Sequence, residues 1–277
     1  MRTVAVVGLG FMGGSLAAAL QASSQEQTVI GIEPARGSAE LALQRGLVDE
    51  LVDDVPQSVD FVALCVPSDT VTSWALKLAR HSATVVDIGS VKGHIVRQLE
   101  RDNGALPANF VPCHPIAGSE KSGPDAADAQ LFNNRLVVMT PVAATSMDAL
   151  ASAKQFWQDV GAQTLQLSAD AHDEVLATTS HLPHLLAFAF MLQTRPDQLD
   201  FAGGGFRDFT RIAAANPELW WRIFQLNRDE LLASAKRFSG QLEGLIETIF
   251  DNDMDAGIAK IQAAAELRKR LDHDSRS

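Results

Sequence analysis

The chain has 277 residues, 46% of them hydrophobic and 21% charged, which is length enough for two domains and an ordinary balance for a globular fold with a substantial core. Its formal net charge of -11 and pI near 5.0 argue against nucleic acid or an anionic membrane as a partner, because the summed field repels phosphates. Any anionic substrate must therefore be met by local cations.

The first apolar run, Thr3-Val-Ala-Val-Val7, reads as a buried strand that feeds directly into Gly8-Leu-Gly-Phe-Met-Gly13. Strand, spaced glycines and helix in that order are a dinucleotide fingerprint in its proper context. Gly8 permits the tight turn, Gly10 lets the backbone approach a pyrophosphate, and Gly13 lets the helix pack closely on the strand. Leu9, Phe11 and Met12 complete the loop and first turn, whose amides face the phosphates. The next strand, Val29-Ile-Gly-Ile32, ends at Glu33, placed to accept hydrogen bonds from the ribose hydroxyls of NAD and to repel a 2'-phosphate. Arg36 lies close enough to hold such a phosphate, so NADP is the less favoured cofactor.

Further short apolar runs follow at Phe61 to Val66, Thr84 to Ile88, Phe110 to Cys113 and Leu136 to Thr140, alternating with helical patterns. This predicts an α/β fold with a Rossmann-type, doubly wound, mainly parallel sheet. Val66, Pro67 and Ser68, and the loop Ile88-Gly-Ser90-Val-Lys92, fall at the carboxyl edge where such sheets bind ligands, and the first three are assigned to the cofactor. Phe110-Val-Pro-Cys-His114-Pro-Ile-Ala-Gly-Ser-Glu120 then sets an imidazole in a rigid polar turn behind the nucleotide-binding half, which makes His114 the candidate for proton transfer. Its neighbour Cys113 points to the opposite face of the strand, and with Cys65 is read as a small strand residue rather than a nucleophile or half of a disulfide.

Gly161-Ala-Gln-Thr-Leu-Gln-Leu167 is the last strand signal, and Ser168-Ala-Asp170 begins a helical stretch. The expected domains are therefore a dinucleotide-binding domain over 1–167 and an all-α domain over 168–277, with Asn216-Pro-Glu218 as a marked helix start. The segment Leu182 to Leu192 is apolar on more than one face and needs cover, so a homodimer through the helical domain is expected. Its apolar run Leu185 to Leu192 falls short of the roughly twenty residues of a membrane span. The chain opens in a core strand without a secretion signal, so a cytoplasmic location is expected.

Two further motifs carry chemistry: His181-Leu-Pro-His184, and Gly203-Gly204-Gly-Phe-Arg207-Asp208-Phe-Thr-Arg211, where glycines followed by arginines suit close approach to a carboxylate. The two histidines lack a third ligand in any metal motif, so no metal is assigned. Taken with Asp87-Ile-Gly-Ser-Val-Lys92 and His114-Pro-Ile-Ala-Gly-Ser-Glu120, in this order, the chain resembles the prephenate and arogenate dehydrogenase family of tyrosine biosynthesis from residue 1 to about residue 245. The resemblance implies an oxidative decarboxylation in which a cyclohexadienyl alcohol gives a hydride to NAD, loses carbon dioxide and becomes a phenol. It also implies roles: His114 as acid/base, Ser90 orienting His114 or the nicotinamide, Glu120 lining the substrate entrance, and Arg211 binding a substrate carboxylate. His184 would lie near the substrate side chain, with His181, Asp208, Gly204 and Trp220 supporting the pocket. Trp220 and Trp221 are adjacent on a helix and cannot both face that pocket.

A β-hydroxyacid dehydrogenase shares the glycine-rich opening and a helical second domain, but such enzymes use a lysine there, and none occurs between Lys154 and Lys236. A non-catalytic NAD sensor would need the fingerprint alone. Prephenate and arogenate are not separated by the sequence.

Overall fold

The computed structural model describes residues 2–118 and 121–274. The chain forms two compact units, Met1–Arg228 and Asp229–Ser277. In the first, β1 (Arg2–Val7), α1 (Phe11–Ala22), β2 (Gln27–Ile32), α2 (Arg36–Gln44), β3 (Glu50–Leu51), β4 (Phe61–Leu64), α3 (Ser68–Lys77), β5 (Thr84–Asp87), α4 (Gly93–Asn103) and β6 (Phe110–Val111) follow one another. The strands lie in the order β3-β2-β1-β4-β5-β6 and every pair is parallel. The order reverses between β1 and β4, so the loops leaving these strands diverge and open a crevice at the carboxyl edge.

Alternation along each strand explains why this sheet is buried on both faces. Val4 and Val6 of β1, with Phe61 and Ala63 of β4, pack with Leu16, Ala17 and Leu20 of α1. Their neighbours Ala5, Val7, Val62 and Leu64 pack on the other face with Val71 and Ala75 of α3 and Ile95 and Leu99 of α4. Successive side chains of a strand point to opposite faces, so near-continuous apolar strands suit a sheet covered on both sides.

The segment Phe110 to Cys113 does not form one strand. It breaks at Pro112, which has no N–H to donate to a ladder. β6 ends the large sheet, and β7 (Cys113–Pro115) enters a second sheet in the order β7-β8-β9, with β8 (Leu136–Met139) and β9 (Gln163–Gln166). There β7 runs antiparallel to β8, while β8 and β9 are parallel. The two-residue β3, too short for an apolar pattern, completes the edge beside β2. Between β8 and β9, α5 (Met147–Asp159) lays Phe156 against Phe61 with ring centroids 3.9 Å apart, and the Arg2 guanidinium sits 4.8 Å from the Phe61 ring.

From Ser168, whose hydroxyl accepts from Ala171 N, the chain is helical: α6 (Ala169–Leu176), α7 (Leu182–Gln193), α8 (Gly204–Thr210) and α9 (Pro217–Leu226). The Asn216 side chain caps α9 by accepting from Leu219 N at 2.9 Å, as the Asn-Pro-Glu start predicts. A single π turn, Ala177–His181, joins α6 to α7. Pro183, which can neither donate nor tolerate a regular carbonyl behind it, lies just beyond and accounts for the widened turn. The resulting helical run, Ala169–Gln193, reaches the length and mean apolarity of a membrane span, longer than the apolar stretch alone suggests. Its polar side chains are nevertheless engaged by protein, Asp173 with the start of α4 and His181 with Asn227. The second unit consists of α10 (Arg228–Phe250) and α11 (Met254–Asp274), joined by a tight turn in which Asn252 adopts a left-handed conformation and Asp253 caps α11 through Ala256 N.

Phe156 is fully buried and ties α5 to β4. Phe156→Ala is expected to cost about 3–5 kcal/mol in urea denaturation; a loss below about 1 kcal/mol would mean that the stack is dispensable.

Candidate active site

The crevice between β1 and β4 has the backbone geometry that a nucleotide phosphate requires. Gly8 has φ +90°, and a Cβ there would stand 2.4 Å from the Cys65 carbonyl oxygen. A Cβ on Gly13 would meet the Gly8 carbonyl at 1.8 Å, so the helix can lie this close to the strand only with glycine. Gly10 differs: nothing lies within 4 Å of its missing side chain, and it stands at the exposed N-cap of α1. α1 has no acidic residue in its first turn and no side-chain cap, and among the described residues no protein acceptor takes the amides of Phe11 or Met12. Open space beside unpaired helix amides fits a pyrophosphate.

The Glu33 carboxylate stands at the end of β2, accepting from Leu9 N at 2.8 Å and from Ala35 N at 2.9 Å. Leu9 thus contributes a buried side chain and a backbone link rather than a free amide. Arg36 bonds along its own helix to Glu40 at 2.8 Å. Across the crevice, Val66 lies 3.3 Å from where a Gly8 Cβ would be, Pro67 precedes α3, and the Ser68 hydroxyl crowds the missing side chain of Gly89 at 2.9 Å. The loops after β4 and β5 therefore touch, and Ser90 sits half-buried in the second of them.

His114 lies at the centre of β7, just past the end of the large sheet, opposite Val138. A buried ion pair holds that strand in place: Lys92 Nζ bonds to the Asp87 carboxylate and, at 2.6 Å, to the Cys113 carbonyl, with both charged side chains fully buried. Asp87 also accepts from Cys113 N at 3.0 Å and from Gly89 N at 2.8 Å. The Cys113 thiol is pushed up to about 12, by burial first and then by the Asp87 charge, which leaves it unsuited to nucleophilic work. His114 Nδ1 lies 2.8 Å from His172 Nε2, and His172 Nδ1 lies 2.8 Å from Asp173 Oδ1. Among the described residues no hydrogen bond joins Ser90 to His114, so the contact that orients the imidazole comes from His172. Burial, and then the positive charges that His172, Lys92 and His181 can present, hold the His114 pKa well below the ordinary histidine value.

The other predicted residues gather on the helices. His184 donates from Nδ1 to the Ser180 carbonyl at 2.9 Å and stacks on Trp220 with centroids 3.5 Å apart. His181 meets the same Trp220 edge-on at 6.2 Å, while Trp221 is 64% exposed, so only Trp220 faces the histidines. The His184 pKa is lowered by burial and further by Arg211, which places that guanidinium within electrostatic reach. Arg211, with Arg207, Phe206 and Thr210, lines an open groove of about 450 Å³. Gly204 begins the short α8 with open space around it, and Asp208 lies exposed on that helix. Glu120 lies outside the described residues.

Sequence reasoning passed over His172, Asp173 and Asn227. No spacing in the chain announces that His172-Asp173 meets His114. Asp87 and Lys92 were visible as a motif, but their pairing inside the protein was not.

Family models match this chain along most of its length: the prephenate dehydrogenase nucleotide-binding domain over residues 16–166 and the prephenate dehydrogenase dimerization domain over residues 168–263. A cyclohexadienyl dehydrogenase of Zymomonas mobilis is 35% identical, over 99% of this chain and 98% of that protein. Among solved structures, the prephenate dehydrogenase of Aquifex aeolicus, in complex with hydroxyphenyl propionate and NAD+, is 34% identical with a TM-score of 0.89 and covers 98% of each chain. The Synechocystis arogenate dehydrogenase is 29% identical with a TM-score of 0.82, over 98% of this chain and 100% of that one.

His181 gives the site a pH-dependent stability. Asn227 Nδ2 donates to the Asp173 carbonyl at 2.8 Å and lies 3.0 Å from His181 Nδ1, which must then accept. The proton of the neutral ring sits on Nε2, buried and without a protein partner among the described residues. Burial is the main cause that lowers the His181 pKa from 6.5 to about 4. Between these values the unfolded chain binds a proton that the native site refuses, so stability falls as pH falls. Urea denaturation is expected to show about 2 kcal/mol less stability from this residue at pH 5 than at pH 7, and a shallower dependence in His181→Asn. An unchanged slope in the variant would contradict this assignment.

Proposed function

The chain belongs to the prephenate dehydrogenase family, and on that premise we propose that it oxidises and decarboxylates prephenate to 4-hydroxyphenylpyruvate, with NAD as cofactor, on the route to tyrosine. The observation that carries the reading is His114 itself, on β7 just beyond the carboxyl end of β6, with Nδ1 held 2.8 Å from His172 Nε2, which leaves Nε2 as the nitrogen for substrate on this reading. Bound NAD supplies the acceptor for the hydride that leaves the ring carbinol carbon. His114 Nε2 takes the hydroxyl proton as that carbon is oxidised, its low pKa keeping it neutral and able to accept. Loss of the ring carboxylate as carbon dioxide leaves its bonding electrons in the ring, which becomes aromatic, and His114 returns the proton to the phenolate oxygen. Arg211 binds a carboxylate and positions the substrate; a cation clamped on the departing carboxylate would stabilise the charge that decarboxylation must disperse.

Glu33 favours NAD over NADP, since its carboxylate is locked in place by two backbone amides while Arg36 is drawn to Glu40. Trp220 stacks on His184, and the groups that act on these histidines electrostatically include the Arg211 cation, which suits the keto acid side chain of prephenate better than the ammonium of arogenate. The nucleotide-binding domain on this reading ends near residue 167, and Ser90 serves the nicotinamide side of the site. The active form is a homodimer joined through the helices, supported by the dimerization-domain match and by apolar side chains such as Leu192, Phe201 and Phe250, each 88% exposed in the single chain. Two free thiols accord with a cytoplasmic location.

The test is NADH formation from prephenate and, separately, from arogenate, with NAD and NADP in turn. Turnover of prephenate with NAD is expected, and His114→Asn should lower kcat by about 100-fold or more. Absence of turnover with both substrates would overturn the reading, and activity unaffected in His114→Asn would remove the base from His114.

A further inference from the structure

We propose that His172 and Asp173 are positioning residues that fix His114 as its Nδ1–H tautomer and thereby present Nε2 unprotonated to the substrate hydroxyl; this rests on His114 being the base. The argument is a proton count along a buried chain. Asp173 Oδ1 accepts from Lys92 N at 2.9 Å and faces His172 Nδ1 at 2.8 Å, while Oδ2 accepts from Gly93 N at 2.8 Å. With backbone donors on both oxygens, the carboxylate serves as acceptor throughout, so His172 Nδ1 carries a hydrogen. With His172 neutral, as the proposal takes it, Nε2 has only a lone pair, and the hydrogen in its 2.8 Å contact with His114 Nδ1 comes from His114. That leaves the lone pair of His114 on Nε2.

An untethered neutral imidazole places its proton on either nitrogen, and the molecules that carry it on Nε2 are no base at the atom that matters. The same chain acts after proton transfer. When His114 becomes an imidazolium, its Nδ1–H still donates to His172, whose far nitrogen donates to the Asp173 carboxylate, so the new charge is met without rearrangement. His172 is fully buried and Asp173 is 2% exposed, so water cannot substitute for either partner. Asp173 is further held by its own carbonyl, which accepts from Asn227 Nδ2 at 2.8 Å. Because its carboxylate also binds the amides at the start of α4, the base is registered to the loop that carries Ser90.

A purely structural role would lower stability without choosing between kinetic terms, so the test separates them. In full-length protein labelled with 15N-histidine, the His114 ring, assigned by its absence from His114→Asn, is expected to show Nδ1 protonated and Nε2 unprotonated near pH 7. His172→Leu should lower kcat for prephenate by about 100-fold, with KM for prephenate and NAD changed less than about 3-fold. His172→Gln, whose amide oxygen can stand where Nε2 accepts, should recover most of that loss. A His114 that carries its proton on Nε2 in the wild type, or a His172→Leu enzyme with kcat within about 2-fold of wild type, would overturn the proposal. The ring tautomer is read on resting protein: if wild type turned over neither prephenate nor arogenate, the proposed reaction would fall while the tautomer still decided the relay. Should His172→Leu not fold, the wild-type tautomer and His172→Gln decide it.

Discussion

A buried ammonium has to be matched where it lies, and Lys92 shows what that requirement does to this structure. Its side chain has no access to water and is compensated by the Asp87 carboxylate and the Cys113 carbonyl. Removing one partner of such a pair leaves an unpaired charge in the interior, at a cost of about 3–5 kcal/mol, so the end of β5, the start of α4 and the start of β7 are held to one point. The backbone amide of the same lysine is taken by Asp173, which brings α6 to that point as well. The loop after β5, the strand that carries His114 and helix α6 are thus fixed by the neighbourhood of one residue.

The electrostatics of the site follow from that compactness. His114, His181 and His184 all have lowered pKa values, each with burial as the first cause, so the three imidazoles are neutral near pH 7. Neutral rings can accept or share a proton and can pack against apolar substrate surface, which charged rings would do poorly. Arg207 and Arg211 carry permanent positive charge into the open groove, and the helix amides at Phe11 and Met12 add the positive end of a dipole. In a chain of net charge -11, such groups are where anions are drawn.

The nucleotide half was legible because its constraints are local. A glycine at φ +90°, a helix too close to its strand for a side chain, and an acid at the end of β2 all leave marks within a few dozen residues. The helix start at Asn216 was legible for the same reason. The break of one apolar run at Pro112 was hidden, since proline ended a ladder inside a pattern that still looked continuous. The relay of His172 and Asp173 was not legible, because it joins residues 58 apart through tertiary packing. Nothing in the sequence near His172 distinguishes it from an ordinary helical histidine. Likewise, the resemblance assigned Ser90 to orienting His114 or the nicotinamide, and among the described residues the side-chain contact to His114 Nδ1 comes from His172.

The central claim is that His114 works as a neutral base whose pKa the protein holds low. Burial is the first cause, the buried Lys92 ammonium opposes protonation further, and the Asp173 carboxylate lies against His172 rather than against His114. The most direct measurement is the pH dependence of kcat/KM for prephenate with saturating NAD, which reports the base in the enzyme before substrate binds. A lowered pKa means that the base stays neutral as pH falls past 6.5. Activity on folded enzyme should therefore hold through pH 6.5 and be lost only at lower pH. An acid limb at or above pH 6.5 would contradict the account.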